Sequence, residues 1–331
     1  MTASAGAFRW LDGDRLVIFG RGKLAEAGTV LGSGYALLTT PRAAAAAPAL
    51  VAAAGSVHEV GPGRVDELAA ELRPELDSQL LVALGGGRVI DVAKALGAAD
   101  PPRMVAAVPT TLSGAEMTAV HRHATGVPAE TTHARPAIVV NDPALSASQP
   151  LPDLAASAAN ALGHIAEGPL TPVTNPVAKL AALEAARLIA SGLADPEEPD
   201  RDALALGALL AGYVVGATGY GLHHVLAQTL VRVAGLGHGQ ANAIVLPHTI
   251  AALSRRSPAW FALLGEALGA SPAPFAARLR GLAGAHGLGE AGVPESALAG
   301  VAEQASRRAE LAMTPPAAGP TELGQILRAA Y

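Results

Sequence analysis

Residues 79–84 read QLLVAL and run directly into three consecutive glycines, Gly85, Gly86 and Gly87. A continuous apolar run of that length, without polar alternation, suits a strand buried on both faces. Residues 89–96 then take up helical spacing. Strand, glycine turn and helix in that order form half of a βαβ unit. The alternation recurs through the first 145 residues. Short apolar runs at 15–19 (RLVIF), 35–39 (YALLT) and 104–108 (MVAAV) read as further strands, with shorter ones at 57–60 and 138–140. Residues 42–54 and 64–72 read as helices between them. This order predicts a Rossmann-like α/β domain: a parallel sheet with helices on both faces. The run at 15–19 is expected at a sheet edge, where two copies could pair. After Pro150-Leu151-Pro152 helical periods dominate to residue 331, broken by prolines and by Gly235 and Gly237. The predicted organisation is therefore an α/β domain over 1–148 and an all-helical domain over 149–331.

The glycine turn carries chemistry as well as topology. Without side chains, its backbone can approach a pyrophosphate closely. The free N–H groups and dipole of the following helix favour an anion. Asp91 lies in the first turns of that helix and could cap it or receive a polar ligand group. Lys94 reads equally well as a solvated side chain. A second loop, 108–118 (VPTTLSGAEMT), follows the next predicted strand. Its hydroxyls, Thr110, Thr111 and Ser113 among them, could bind phosphate, ribose or nicotinamide. Two such loops at the carboxyl ends of parallel strands are the usual seat of a dinucleotide.

Composition narrows the remaining classes. A formal net charge of -5 offers no basic face for nucleic acid. No apolar stretch reaches the roughly 18 residues a membrane span needs. Residues 1–10 lack the basic-then-apolar pattern of a secretory leader. Cysteine is absent, which removes disulfides and thiolate ligands. A cytoplasmic location, a small-molecule or peptide substrate and a homodimer are the expectations.

Asn160 and His164 stand four apart and so share a helix face. His224 and His238 follow later in the helical half. Three imidazoles and one amide oxygen could hold a divalent cation. A histidine on an apolar helix is more often a hydrogen-bonded core residue, and of the adjacent His223 and His224 at most one can point at a given site.

Taken together, the segments GGGRVIDVAK (85–94), PTTLSGAEMT (109–118), NALGHIAE (160–167) and the two-histidine stretch 223–248, ending in HGQANAIVLPH, resemble the iron-containing alcohol dehydrogenase superfamily. The resemblance covers roughly residues 15–250. It implies a nicotinamide dinucleotide domain of the dehydroquinate synthase-like fold, a helical C-terminal domain and an active site in the cleft between them. It implies NAD or NADP on Thr40, Gly85, Gly86, Gly87, Arg88, Asp91, Thr110, Thr111 and Ser113. It further implies catalytic roles for His164, His224 and His238, and iron or zinc on Asn160, His164, His224 and His238.

The departures lean towards maleylacetate reductase-like members. Asn160 replaces a metal-binding aspartate, so the four ligands carry no charge and the metal is expected to be weakly bound or absent. Thr39-Thr40-Pro41 replaces the aspartate with which many members select NAD; Thr40 does not repel a 2′-phosphate and Arg42 could attract one, so both cofactors are expected. Gln228 stands for a further histidine, Arg88 for the usual serine of the glycine turn, and Pro128 falls near a usual lysine. The leading expectation is an NAD(P)-dependent oxidoreductase acting on a carbonyl or alcohol carbon. Alternatives are a dehydrogenase specialised for natural-product biosynthesis, as in the oxidative decarboxylation of a peptide C-terminus of daptide type, a lyase of dehydroquinate synthase type, and a non-catalytic nucleotide-binding relative.

Overall fold

The computed structural model describes residues 6–147 and 149–331. Ser148, at the predicted boundary, and the first five residues of the expected leader-free N-terminus lie outside the described residues. The chain condenses into two units: Met1–Ser148 with Arg201–Leu209, and Gln149–Asp200 with Leu210–Tyr331.

The first unit is built on one sheet. Its strands are β1 (Phe8–Asp12), β2 (Arg15–Phe19), β3 (Ala36–Thr39), β4 (Ser56–Glu59), β5 (Leu80–Gly85), β6 (Met104–Pro109) and β7 (Ile138–Asn141). Their spatial order is β1-β2-β7-β6-β5-β3-β4. All pairings are parallel except β1 with β2, a hairpin turned at Gly13, whose φ of 66° suits a tight two-residue turn. The hairpin corrects one expectation. Residues 15–19 do not form an edge: β2 pairs with β1 on one side and β7 on the other. The Asp12-Gly13 pair is the turn signal that marks the additional strand.

Helices cover both faces: α1 (Ala27–Leu31), α2 (Pro41–Ala46) and α3 (Pro48–Ala53) on one, α4 (Val65–Leu72) and α5 (Gly87–Ala99) on the other. Strand β5 shows why its sequence is apolar throughout. Leu81 and Ala83 pack with Ala69, Val89 and Ala93, while Val82 and Leu84 pack with Ala43, Ala47 and Leu50. The single helix expected over 42–54 is two, because Pro48 pushes Ala47 out of the helical region, to φ -137° and ψ 59°.

The second unit is helical: α6 (Leu151–Glu167), α7 (Pro176–Gly192), the latter half of α8 (Arg201–Thr218), α9 (Leu222–Ala234), α10 (His238–Arg256), α11 (Pro258–Leu268), α12 (Pro272–Leu282), α13 (Leu298–Ser306) and α14 (Pro320–Ala329). α10 packs on α6, α9 and α12. α6 is buried almost all round from Leu154 to Glu167. Its alanines let neighbouring helices approach closely, which brings the polar side chains of α6 and α9 into contact. No single helix among the described residues is long and apolar enough to cross a membrane.

Candidate active site

The glycine turn lies at the carboxyl end of β5. Gly85 ends the strand, Gly86 is the N-cap of α5 and Gly87 its first residue. None of the three has a positive φ, so left-handed backbone is not the reason for glycine here. The reason is space. A Cβ on Gly85 would lie 2.6 Å from Val89 Cγ2, one on Gly86 3.1 Å from Thr111 Oγ1 and one on Gly87 3.1 Å from Ser113 Cβ. The glycines therefore let the second loop close down on the first. No side chain caps α5, which leaves its first-turn N–H groups to a ligand anion.

The second loop is anchored from beneath. Thr110 N donates to Gly85 O at 2.9 Å, and Ser113 Oγ accepts from Ala115 N at 3.3 Å. Thr110 is buried; Thr111 and Ser113 are half-buried at the rim. Lys94 is not solvated. Its side chain is fully buried, its ammonium donates to the carbonyls of Ala115 (3.0 Å), Thr118 (3.3 Å) and Val120 (2.7 Å), and it pairs with Asp91 at 2.7 Å. Asp91 is thereby partnered within the protein. Glu116 lies in the same buried layer, and burial pushes its carboxyl up to about 7 against the pull of Lys94 and Arg15. Thr40 caps α2, accepting from Ala43 N at 3.3 Å. Arg42 and Arg88 are exposed, the latter reaching Gly61 O at 3.4 Å.

The second unit gathers the other predicted residues. The rings of His164 and His224 stack at 4.5 Å, and His223 meets His224 edge-on at 4.8 Å. Gly163 makes this possible: a Cβ there would lie 2.5 Å from His223 Cδ2 and 3.2 Å from His224 Cε1. Glu167, one turn beyond His164, organises the pair. Its Oε1 is 2.6 Å from His224 Nδ1, and its Oε2 accepts from His223 N at 2.7 Å. His223 turns away, its Nδ1 2.9 Å from Thr249 Oγ1. His238 opens α10 and adds like-charge repulsion to His164, His223 and His224.

These imidazoles are held neutral. Desolvation first, then their mutual repulsion, lowers His223 and His224 to about 3 and His164 well below its usual value. Burial likewise raises Glu167. The carboxylate fixes the proton of His224 on Nδ1, which leaves Nε2 with a lone pair. That nitrogen lies 3.4 Å from Asn160 Oδ1, and with the Nδ1 tautomer the Asn160 amide turns its NH2 towards it and donates.

The set Asn160, His164, His224 and His238 offers a divalent cation three imidazoles and an uncharged amide. The neighbouring carboxylate, Glu167, is committed to His224 and to the His223 backbone, so a cation there would be held more weakly than beside a charged ligand. Sequence reasoning singled out neither Glu167 nor Glu116, although both lie within the quoted motifs. Glu167 is three residues beyond His164, the spacing of one helix face.

The sequence profile described as "Fe-containing alcohol dehydrogenase family, C-terminal" matches residues 154–331. A maleylacetate reductase of Sphingobium indicum is 35% identical over 306 residues, 86% of each chain. Among solved structures, maleylacetate reductase from Agrobacterium tumefaciens superposes with a TM-score of 0.82 at 26% identity, and that from Rhizobium sp. strain MTP-10005 with 0.82 at 27%; in both pairs 98% of each chain is covered.

Proposed function

The chain belongs to the iron-containing alcohol dehydrogenase family and is an oxidoreductase, and from that premise we propose that it moves hydride between a nicotinamide dinucleotide and a carbonyl or alcohol carbon. The observation that carries the proposal is the buried His224, whose Nδ1 proton is held by Glu167 while Nε2 keeps its lone pair. A bound nicotinamide supplies or accepts the hydride. The N-terminus of α5 and the Thr110–Ser113 loop would hold its phosphates and ribose. In the oxidative direction His224 Nε2 takes the hydroxyl proton as hydride departs, and Glu167 steadies the imidazolium that forms; in reduction the same nitrogen returns the proton to the developing alkoxide. His164, stacked on His224, keeps water and competing charge from that nitrogen. His238 contributes a further polar group to the same cluster.

The proposal routes no step through a metal. Thr40 leaves NADP as acceptable as NAD. Maleylacetate is the first substrate to test, since the relatives bear that name. An uncharged or peptide substrate is the second. Arg308, which reaches Tyr220 beside His224, is already engaged by Glu310, so it does not offer a free cation to a dicarboxylate. Two copies pairing through the sheet would use one of its outer strands, β1 or β4.

Fluorescence titration with NADH and NADPH, followed by turnover on maleylacetate and on simple ketones and alcohols, tests the reading. Binding of both cofactors supports it; binding of neither removes it.

A further inference from the structure

The connection from Thr118 to Ala137 contains neither strand nor helix, yet follows directly on the Thr110–Ser113 loop. Irregular connections of that length inside a domain usually carry a function or a fastening. This one carries three histidines, His121, His123 and His133, within thirteen residues. Their rings converge: centroids lie 4.7 Å apart for His121 and His133, 4.3 Å for His123 and His133, and 5.4 Å for His121 and His123. One ring nitrogen from each lies within 4.8 Å of the others.

The hydrogen bonding of the three is uneven. His121 Nδ1 is 3.0 Å from Arg122 O, and its Nε2 accepts from Ala134 N at 3.0 Å. That pattern puts its proton on Nδ1 and a lone pair on Nε2. A ring whose far N–H is fixed on a backbone carbonyl is how protein imidazoles are prepared for metal ligation. Both ring nitrogens of His123 are buried and have no hydrogen-bond partner among the described residues. A polar side chain in that condition is costly unless something coordinates it. His133 is exposed and gives the cluster its opening to solvent.

We propose that His121, His123 and His133 form a binding site for a zinc-class divalent cation that staples the 118–137 connection, distinct from the imidazoles of the second unit. Nitrogen-only ligands suit zinc, cobalt, nickel or copper rather than magnesium or calcium. Zinc–nitrogen bonds of about 2.0–2.1 Å bring ligand atoms to about 3.4 Å of one another, so the trio closes by rotation of the exposed His133, and the Ala134 amide gives up His121 Nε2. Water fills the fourth position. The bound ion would fix the loop whose first residues, through Thr118 and Val120, are held by Lys94. It would tighten the frame of the dinucleotide site without taking part in hydride transfer.

Zinc and cobalt titrations of chelator-treated full-length protein test the proposal, read by equilibrium dialysis and by the visible absorption of Co(II). Wild type should bind one metal equivalent that His133→Ala loses and that His164→Ala retains, with tetrahedral Co(II) bands lost in the first variant alone. Since His133 is exposed, His133→Ala should leave far-UV circular dichroism unchanged; His123→Gln provides a second variant of similar size, expected to lose the same equivalent. Equal metal stoichiometry in wild type and His133→Ala overturns the proposal, as does the absence of any equivalent in wild type at micromolar free zinc. None of these readouts depends on turnover, so failure of the redox reading leaves the result interpretable.

Discussion

Replacing Lys94 by methionine tests whether the second loop is held from beneath. The change keeps the buried stem and removes only the ammonium. Three carbonyls, those of Ala115, Thr118 and Val120, then lose their donor, and Asp91 loses its partner at 2.7 Å. Breaking a buried ion pair costs about 3–5 kcal/mol. Asp91 keeps some access to water, which places the loss near the lower end, and hydrogen bonds from a charged donor at about 1.5–3 kcal/mol each are not additive with it. A loss of about 3 kcal/mol is expected, a large share of a typical stability of about 5–15 kcal/mol. With a urea slope of about 2 kcal/mol per M the midpoint should fall by roughly 1–2 M. Urea unfolding followed by Trp10 fluorescence measures it, since Trp10 is in the first unit and a Trp260→Phe background silences the only other tryptophan. NADH affinity should weaken along with stability. A midpoint shift below about 0.3 M with unchanged NADH affinity would show that the loop does not depend on this lysine.

Thr40→Asp preserves an acceptor at the N-cap of α2, so stability should hold, while NADPH affinity falls at least about tenfold, or 1.4 kcal/mol, relative to NADH; paired titrations check it, and equal losses would contradict the placement of the adenosine ribose. Asn160→Asp adds the missing ligand charge, and metal analysis after purification without chelators should show higher zinc or iron content than wild type. Acidification should unfold the second unit selectively. His223 and His224 titrate near 3 in the folded chain and near 6.5 when unfolded, so the unfolded state binds more protons below pH 6.5 and stability falls as pH drops from 6.5 towards 3. In the first unit, Glu116, raised to about 7, has the opposite sign: its folded form binds more protons, so stability falls as pH rises from 4.5 to 7. His121, lowered to about 4, roughly offsets it. Stability from urea unfolding, read by Trp260 in a Trp10→Phe background, should fall between pH 7 and 4.5 by up to about 1.4 kcal/mol per pH unit for each buried histidine, less the opposing share of Glu167, whose raised carboxyl binds protons in the folded chain, while that read by Trp10 stays nearly level; parallel curves would refute the assignment.

The elements legible in the sequence were those whose burial is uniform. Beyond their first residues β5 and β6 are inaccessible on both faces, so their apolar runs admit one reading, and the glycine turn follows at the expected place. β1 was missed because its side chains alternate between half-buried and exposed in a five-residue strand, and only Asp12-Gly13 signals it. The break in 42–54 needed attention to Pro48 rather than to alanine content. Side-chain partners were harder still. Lys94 looks like a surface lysine because a helical period does not reveal that a neighbouring loop folds over it.

The glycines show the same limit in another form. Three in a row suggested room for a phosphate, but the residues nearest to their absent Cβ atoms belong to the protein: Val89, Thr111 and Ser113. The same economy of space recurs at Gly163, where a Cβ would strike His223. Helix propensity would favour alanine at 163 by about 1 kcal/mol. His223 cannot retreat, since Thr249 holds its ring and Glu167 its backbone N–H, so overpacking at about 1–3 kcal/mol outweighs the gain. Gly163→Ala should therefore cost up to about 2 kcal/mol in the second unit and, because His224 shares the contact, reduce kcat more than it raises KM. A stabilised variant with full turnover would mean that the imidazole pair is not the pivot of the chemistry, and that the space beside His223 is not what keeps residue 163 a glycine.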